Sequence, residues 1–249
     1  MKDNHPEELS SELKSLLGLK WSPIAVKFIS KEDKSDDFPP DSKIRLRYCQ
    51  LLMETKKGRS LSLTTNNISC PAAASAFGLL PLPEKLSSGE MLKTLGLFAT
   101  NEAAAKSMAE MPRLEMNKFK AVAAAPLENA SFEPDVIVIE AKPEQVMWLN
   151  LASLYRSGGR LNFSSAVFQA CCIDVTAIPY RSKQMNVSLG CYGCRDSTDI
   201  ADDECLIGIP FEQLSDIVES LRELSKKAIP AARGKQTYTR WKDAQHVQN

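Results

Sequence analysis

Leu9, Leu13, Leu16 and Leu17 recur at helical spacing and Gly18 follows as a stop signal, so a first helix is expected from Pro6 to Leu17. Ile24 to Ile29, entered through Pro23, has the length and apolar content of a strand, and the polar stretch from Lys31 to Ser42 with Pro39-Pro40 reads as a loop. Leu46, Cys49, Leu52 and Met53 share a face in a helix expected from Arg45 to Lys56 before Gly58, and Ser60 to Thr64 follows as a strand. Ser69-Cys70-Pro71 opens a short helix closed by Gly78, because serine caps and proline is tolerated in a first turn.

Further along, Leu86 to Met111 holds two short helices, and Lys120 to Ala124 and Asp135 to Glu140 are strands. The second of these is a nearly continuous apolar run, which implies burial on both faces. Pro143 starts a helix carrying Val146, Leu149 and Leu154, ended by Ser157-Gly158-Gly159, and Ser165 to Ala177 is a candidate helix bearing Cys171 and Cys172. A strand from Asn186 to Leu189 leads into Gly190-Cys191-Tyr192-Gly193-Cys194-Arg195. A last strand, Cys205 to Ile209, precedes an amphipathic helix with Phe211, Leu214, Ile217, Val218, Leu221 and Leu224.

Strands and helices interleave throughout, so the expected class is α+β or α/β, a mixed sheet in a single compact domain over residues 1–230. Residues 81–112 are a candidate helical insertion, and residues 231–249 are expected to form a polar, basic, frayed tail.

Composition narrows the function. The 249 residues are 43% hydrophobic, enough to build a core without disulfide staples. Lysine plus arginine and aspartate plus glutamate balance at 31 each, which offers no long-range field for nucleic acid or an anionic membrane. No apolar run approaches the roughly 20 residues of a membrane span. The first eight residues carry acids where a signal peptide would be basic, so a reducing cytoplasmic setting is expected.

In that setting the seven cysteines are metal ligands, reactive thiols or buried small hydrophobes. The two histidines, His5 and His246, lie at the chain ends, which removes Ser-His and Cys-His pairs, most catalytic zinc sites and a proximal-histidine haem. Cys171 and Cys205 read as packing residues. Five cysteines stand out by position: Cys49 in a helix, Cys70 at a helix start, Cys172 on a helix, and Cys191 and Cys194 in a glycine-rich turn where Gly190 and Gly193 leave room for a bulky group. Thiolates without histidine or clustered carboxylates select zinc, Cu(I) or an iron–sulfur cluster. Structural zinc usually takes two Cys-x-x-Cys knuckles, and only one is present. A dithiol redox motif would need a helix after Cys191, and the acidic run Asp196, Asp199, Asp202 and Asp203 makes a poor one. That run lacks the glycine and glutamate of a calcium loop and reads as a solvated face; Lys27, Arg45 and Arg47 also read as surface charges.

Trp21-Ser22-Pro23-Ile24-Ala25-Val26-Lys27, Tyr48-Cys49-Gln50, Ser69-Cys70-Pro71, Pro134-Asp135-Val136 and Ser188-Leu189-Gly190-Cys191-Tyr192-Gly193-Cys194-Arg195 together resemble domain-of-unknown-function family 169 of bacteria and archaea, from about Leu9 to Leu224. The resemblance implies cysteines kept at Cys49, Cys70, Cys172 and Cys191, with the Cys194 position variable. Four dispersed thiolates equal the complement of a [4Fe–4S] cluster.

The expectation is therefore an iron–sulfur protein held by Cys49, Cys70, Cys172 and Cys191, with an electron-transfer or redox-catalytic role and a redox partner protein. A structural zinc protein and a metal-free thiol-dependent enzyme are the alternatives. Adjacent residues on an α-helix point about 100° apart, so only one of Cys171 and Cys172 should face the site, and the family resemblance selects Cys172. Cys194, beside Arg195, is expected to be dispensable for holding the cofactor and partly ionised.

Overall fold

Alternate residues of a strand point to opposite sides of its sheet, and in this chain both sets are apolar. Ile24, Val26 and Phe28 face one side with Val136 and Val138, while Ala25, Ile29, Ile137 and Ile139 face the other. Among residues 5–34 and 37–246, which the computed structural model describes, six strands form one sheet: β1 (Ile24–Ser30), β2 (Leu61–Thr64), β3 (Phe119–Pro126), β4 (Val136–Ala141), β5 (Asn186–Ser188) and β6 (Cys205–Pro210). The order is β2-β3-β1-β4-β6-β5, in a single α+β domain. Every ladder is antiparallel, and parallel pairing among the described residues is confined to two isolated bridges, Asp41 with Ser62 and Leu46 with Ile68. Interleaved helices and strands establish the class but leave strand direction open, since a long connection returns a strand in either sense.

Long amphipathic helices cover one face. These are α1 (Pro6–Leu17), α7 (Pro143–Leu154) and α10 (Phe211–Arg233), which bury Leu9, Leu13, Leu149, Leu214, Ile217, Val218 and Leu221 against Ala123, Ile137, Ile207 and Ile209. Cys205 packs in this core, as a small hydrophobe in a strand should.

Short or irregular elements cover the other face: α2 (Tyr48–Lys56), α3 (Pro71–Ala76), a π-helical segment (Ala170–Ala177), α8 (Ile178–Ser182) and α9 (Tyr192–Ser197). The helices α4 (Glu84–Ser87), α5 (Glu90–Thr94) and α6 (Asn101–Glu110) gather around Leu86, Leu92, Ala104 and Met108 beside them. Gly208 of β6 lets the π-helical segment press onto the sheet, because a Cβ there would stand 2.0 Å from the Val175 carbonyl oxygen.

Three expectations change. Helix α2 starts at Tyr48, not Arg45, because Leu46 is extended and exchanges backbone hydrogen bonds with Asn67 (3.0 Å) and Ser69 (2.8 Å). The expected helix from Ser165 is non-helical up to Gln169, where Val167 and Gln169 adopt left-handed φ of 53° and 56°. The tail is helical: α10 continues through Pro230 to Arg233, and a helix α11 spans Gln236–His246, exposed through Ala244. Residues 247–249 lie outside the described residues.

Candidate functional site

The Leu46 bridge fixes the first part of the site. Pairing 46 with 67–69 sets Cys49, in the first turn of α2, beside Cys70, the N-cap of α3. The π-helical segment brings Cys171 and Cys172 in from the sheet side, and the turn after β5 brings Cys191, N-cap of α9, and Cys194 in its first turn. Six of the seven cysteines, Cys49, Cys70, Cys171, Cys172, Cys191 and Cys194, line one cavity of about 280 Å³. The four expected ligands are thus brought to one place, and two further thiols join them.

Both Cys171 and Cys172 line the cavity, which corrects the expectation that only one would. The reason is the wider π-helical turn, in which bonding runs to i+5. Thr176 marks that spacing, since its hydroxyl donates to the Cys171 carbonyl at 2.8 Å and meets the buried Tyr48 hydroxyl at 3.0 Å. A helix does follow Cys191, contrary to expectation, but it takes in only Asp196 of the acidic run; Asp199, Asp202 and Asp203 are non-helical, as expected. The α9 helix runs from Tyr192 to Ser197 because Arg195 donates to the carbonyls of Leu189 (2.6 Å), Ala201 (3.0 Å) and Glu204 (3.0 Å), tying down the loop on both sides.

Cys194 is the electrostatic centre of the thiols. The thiols of Cys171 and Cys191 hydrogen-bond to its sulfur, the Cys191 N–H donates to it at 2.9 Å, and the Arg195 charge adds a smaller contribution, so it is held well below the ordinary thiol range. The same sulfur lies 3.2 Å from the Cys191 carbonyl, a contact that only its protonated form uses; the greater number of donors favours the thiolate. Its partners move the other way: Cys171 and Cys191 are pushed up by bonding to Cys194 and by burial. Burial, then the neighbouring sulfurs, pushes Cys49 up to about 12 and raises Cys172 well above its ordinary value.

Gln169 and the apolar roof had no signal in the sequence pattern, whereas Arg47 and Asp196, expected as surface charges, are exposed at the cavity. Gln169 is buried, donates from Nε2 to the Ala72 carbonyl at 2.9 Å, and sits with the same nitrogen 4.0 Å from Cys172 Sγ. Arg47 and Asp196 stand at the cavity, and Leu86, Met91, Leu92, Leu95, Leu97 and Phe168 form its apolar roof. Gly193 lines the cavity as expected, but Gly190 answers to its left-handed φ of 86° and to Arg195, whose Nε would lie 3.1 Å from a Cβ there.

The remaining candidates are distributed elsewhere. Lys27 pairs with Asp135 at 3.1 Å, and Arg45 lies exposed outside the cavity lining. Asp199 joins Lys56 (2.9 Å) and Lys57 (2.8 Å), Asp203 joins Lys142 (2.9 Å), and Asp202 is exposed. Lys56 also meets Glu140 of β4 at 2.7 Å, and there both side chains are buried, while Asp199 and Lys57 stay half-exposed. His5 is exposed at the start of α1, and His246 ends α11.

Among the described residues, no group of three or more histidine, cysteine, aspartate or glutamate side chains stands in ready geometry around a single ion. No described helix is long and apolar enough to cross a membrane.

No solved structure matches the chain. An uncharacterised protein of Methanocaldococcus jannaschii is 31% identical over 220 residues, covering 88% of this chain and 94% of that protein. The model of the DUF169 family, described as uncharacterised ArCR, COG2043, matches residues 12–220, and the chain belongs to that family.

Proposed function

We propose that this protein binds an iron–sulfur cluster of the [4Fe–4S] type through Cys49, Cys70, Cys172 and Cys191 and serves in electron transfer or redox catalysis. The observation that carries the reading is the gathering of six cysteines, from four separate stretches of chain, around one cavity. Packing does not require this, since buried cysteines scatter through cores as small hydrophobes do. Soft thiolates without histidine fit zinc or an iron–sulfur core. A single zinc draws four sulfurs to about 2.3 Å from one point, whereas a cluster spreads its ligands over the width of its core; six cysteines around one cavity of about 280 Å³ leave room for the larger group.

The surroundings offer one hydrogen-bond donor toward a thiolate sulfur, since Gln169 Nε2 lies 4.0 Å from Cys172 Sγ. Hydrogen bonds to sulfur, burial and nearby charge are the levers that set a cluster's potential. Such a cluster supplies one-electron transfer, for which a redox partner protein is the counterpart.

Serine replacement of each cysteine tests the assignment. Iron per chain should collapse in the Cys49, Cys70, Cys172 and Cys191 variants and persist in Cys171→Ser, Cys194→Ser and Cys205→Ser. Loss with Cys171→Ser but retention with Cys172→Ser reverses the choice between those neighbours.

One observation favours a second reading, a metal-free thiol enzyme: the depressed Cys194 thiolate in contact with two protonated thiols. It predicts full activity in a protein free of iron and zinc.

A further inference from the structure

We infer that the cavity is also a substrate chamber: beside the iron–sulfur centre it takes a small apolar molecule with one N–H or O–H group, and Gln169 Oε1 receives that hydrogen. The inference rests on the cluster reading and deepens it, because an electron relay needs no room for a second molecule next to its cluster.

Three observations point the same way. The first is an unanswered acceptor. Gln169 lines the cavity and is only 5% exposed, and its amide orientation is fixed by Nε2 donating to the Ala72 carbonyl at 2.9 Å. Its Oε1 is buried with no hydrogen-bond partner. A buried polar atom left in that state costs folding free energy, and such atoms are rare in folded proteins. The second is strain. Val167 and Gln169 both hold left-handed backbone, with φ of 53° and 56°, although neither is glycine and Val167 is β-branched. Strain of this kind concentrates at ligand clamps. Here it turns Phe168 and Gln169 onto the chamber wall, where Phe168 meets Phe98 edge-on with centroids 6.4 Å apart.

The third is the division of the walls. Thiols form one side, and the other is Leu86, Met91, Leu92, Leu95, Leu97 and Phe168. Met91 and Leu95 remain 43% and 45% exposed, so the roof opens to solvent on their side. Arg47 and Asp196 also line the cavity and no ion pair joins them. Opposite charges in one lining give no net preference for an anion or a cation, so the occupant is an uncharged molecule whose body the roof receives. Selectivity then falls to the single acceptor, because a site built to accept a hydrogen discriminates against the analogue that lacks it.

Indole and benzofuran, which differ in N–H against O, are the probes, titrated calorimetrically into anaerobically purified protein whose iron and sulfide are measured on the same sample. Indole should bind roughly fivefold more tightly than benzofuran, the effect of one hydrogen bond. Gln169→Leu should erase that preference when the probes are compared at equal iron and sulfide per chain. Leu95→Glu, on the open edge of the roof, should weaken both probes together and keep the preference. If neither probe binds a protein with its full iron and sulfide, or if Gln169→Leu keeps the preference, the chamber is contradicted and the cavity beyond the thiols holds only water. A sample without iron and sulfide contradicts the cluster reading and, with it, the chamber's place beside a cluster.

Discussion

The two faces of the sheet solve the same burial problem in opposite ways. On one, α1, α7 and α10 lay regular apolar stripes on Ala, Val and Ile, and the only cysteine is Cys205. On the other, the cover is broken into short helices and a π-helical turn, with left-handed residues, a buried lysine and six thiols. Regular packing on the first face supplies stability, and that surplus is what lets the second keep strained backbone and buried polar atoms where chemistry needs them.

The comparison is sharpest at its ion pairs. Lys56 has 1% of its side chain exposed and Glu140 2%, while Arg222 and Glu12 on the other side are 39% and 33% exposed. Lys56→Ala strands Glu140, whose carboxyl burial already pushes up to about 7, and should cost about 3–5 kcal/mol in denaturant unfolding. Arg222→Ala should cost less than about 1 kcal/mol. Equal losses would remove the contrast between the faces.

Next in size is Gly208. Alanine there drives a Cβ into the Val175 carbonyl and should cost about 1–3 kcal/mol. It should also lower iron content, because the displaced segment carries Cys171 and Cys172. A stability loss with iron intact would separate the segment from the site.

A smaller effect depends on pH. Asp174 is buried, accepts from Ser165 and Ser188 at 2.7 Å each, and burial pushes its carboxyl up to about 6 despite those hydrogen bonds. A raised carboxyl pKa means that the folded state holds the proton more tightly than the unfolded chain. The contribution is therefore complete below about pH 4 and lost as pH rises through about 6. Relative to Asp174→Asn, the wild type should lose on the order of 2 kcal/mol between pH 4 and 7, read from unfolding curves at each pH. A constant difference between the two proteins would contradict the shift.

Much of the regular face was legible in the sequence. The stripe from Leu214 to Leu224, the Leu9 to Leu17 stripe and the two-sided apolar run of β4 each carry their own periodicity, and all appear where expected. The irregular face was less so. Cys49, Cys70, Cys172 and Cys191 stood out by type and position, but the π-helical turn that admits Cys171 has no pattern distinct from an α-helix. Gln169 and the roof residues owe their places to tertiary contacts alone. Helix α9 is fixed by Arg195 reaching three carbonyls, which spacing does not encode.

The smallest expected effect is at Cys194. Cys194→Ala should leave iron unchanged and slow alkylation of the protein by a thiol reagent, since it removes the most acidic sulfur of the set. Iron loss equal to that of Cys191→Ala would make Cys194 a ligand.

The central claim is that the irregular face exists to hold a cluster, and metal and acid-labile sulfide analysis of anaerobically purified protein tests it most directly. About four iron and four sulfide per chain are expected, with a brown colour from thiolate-ligated iron; zinc without sulfide, or thiols with neither metal, would contradict it.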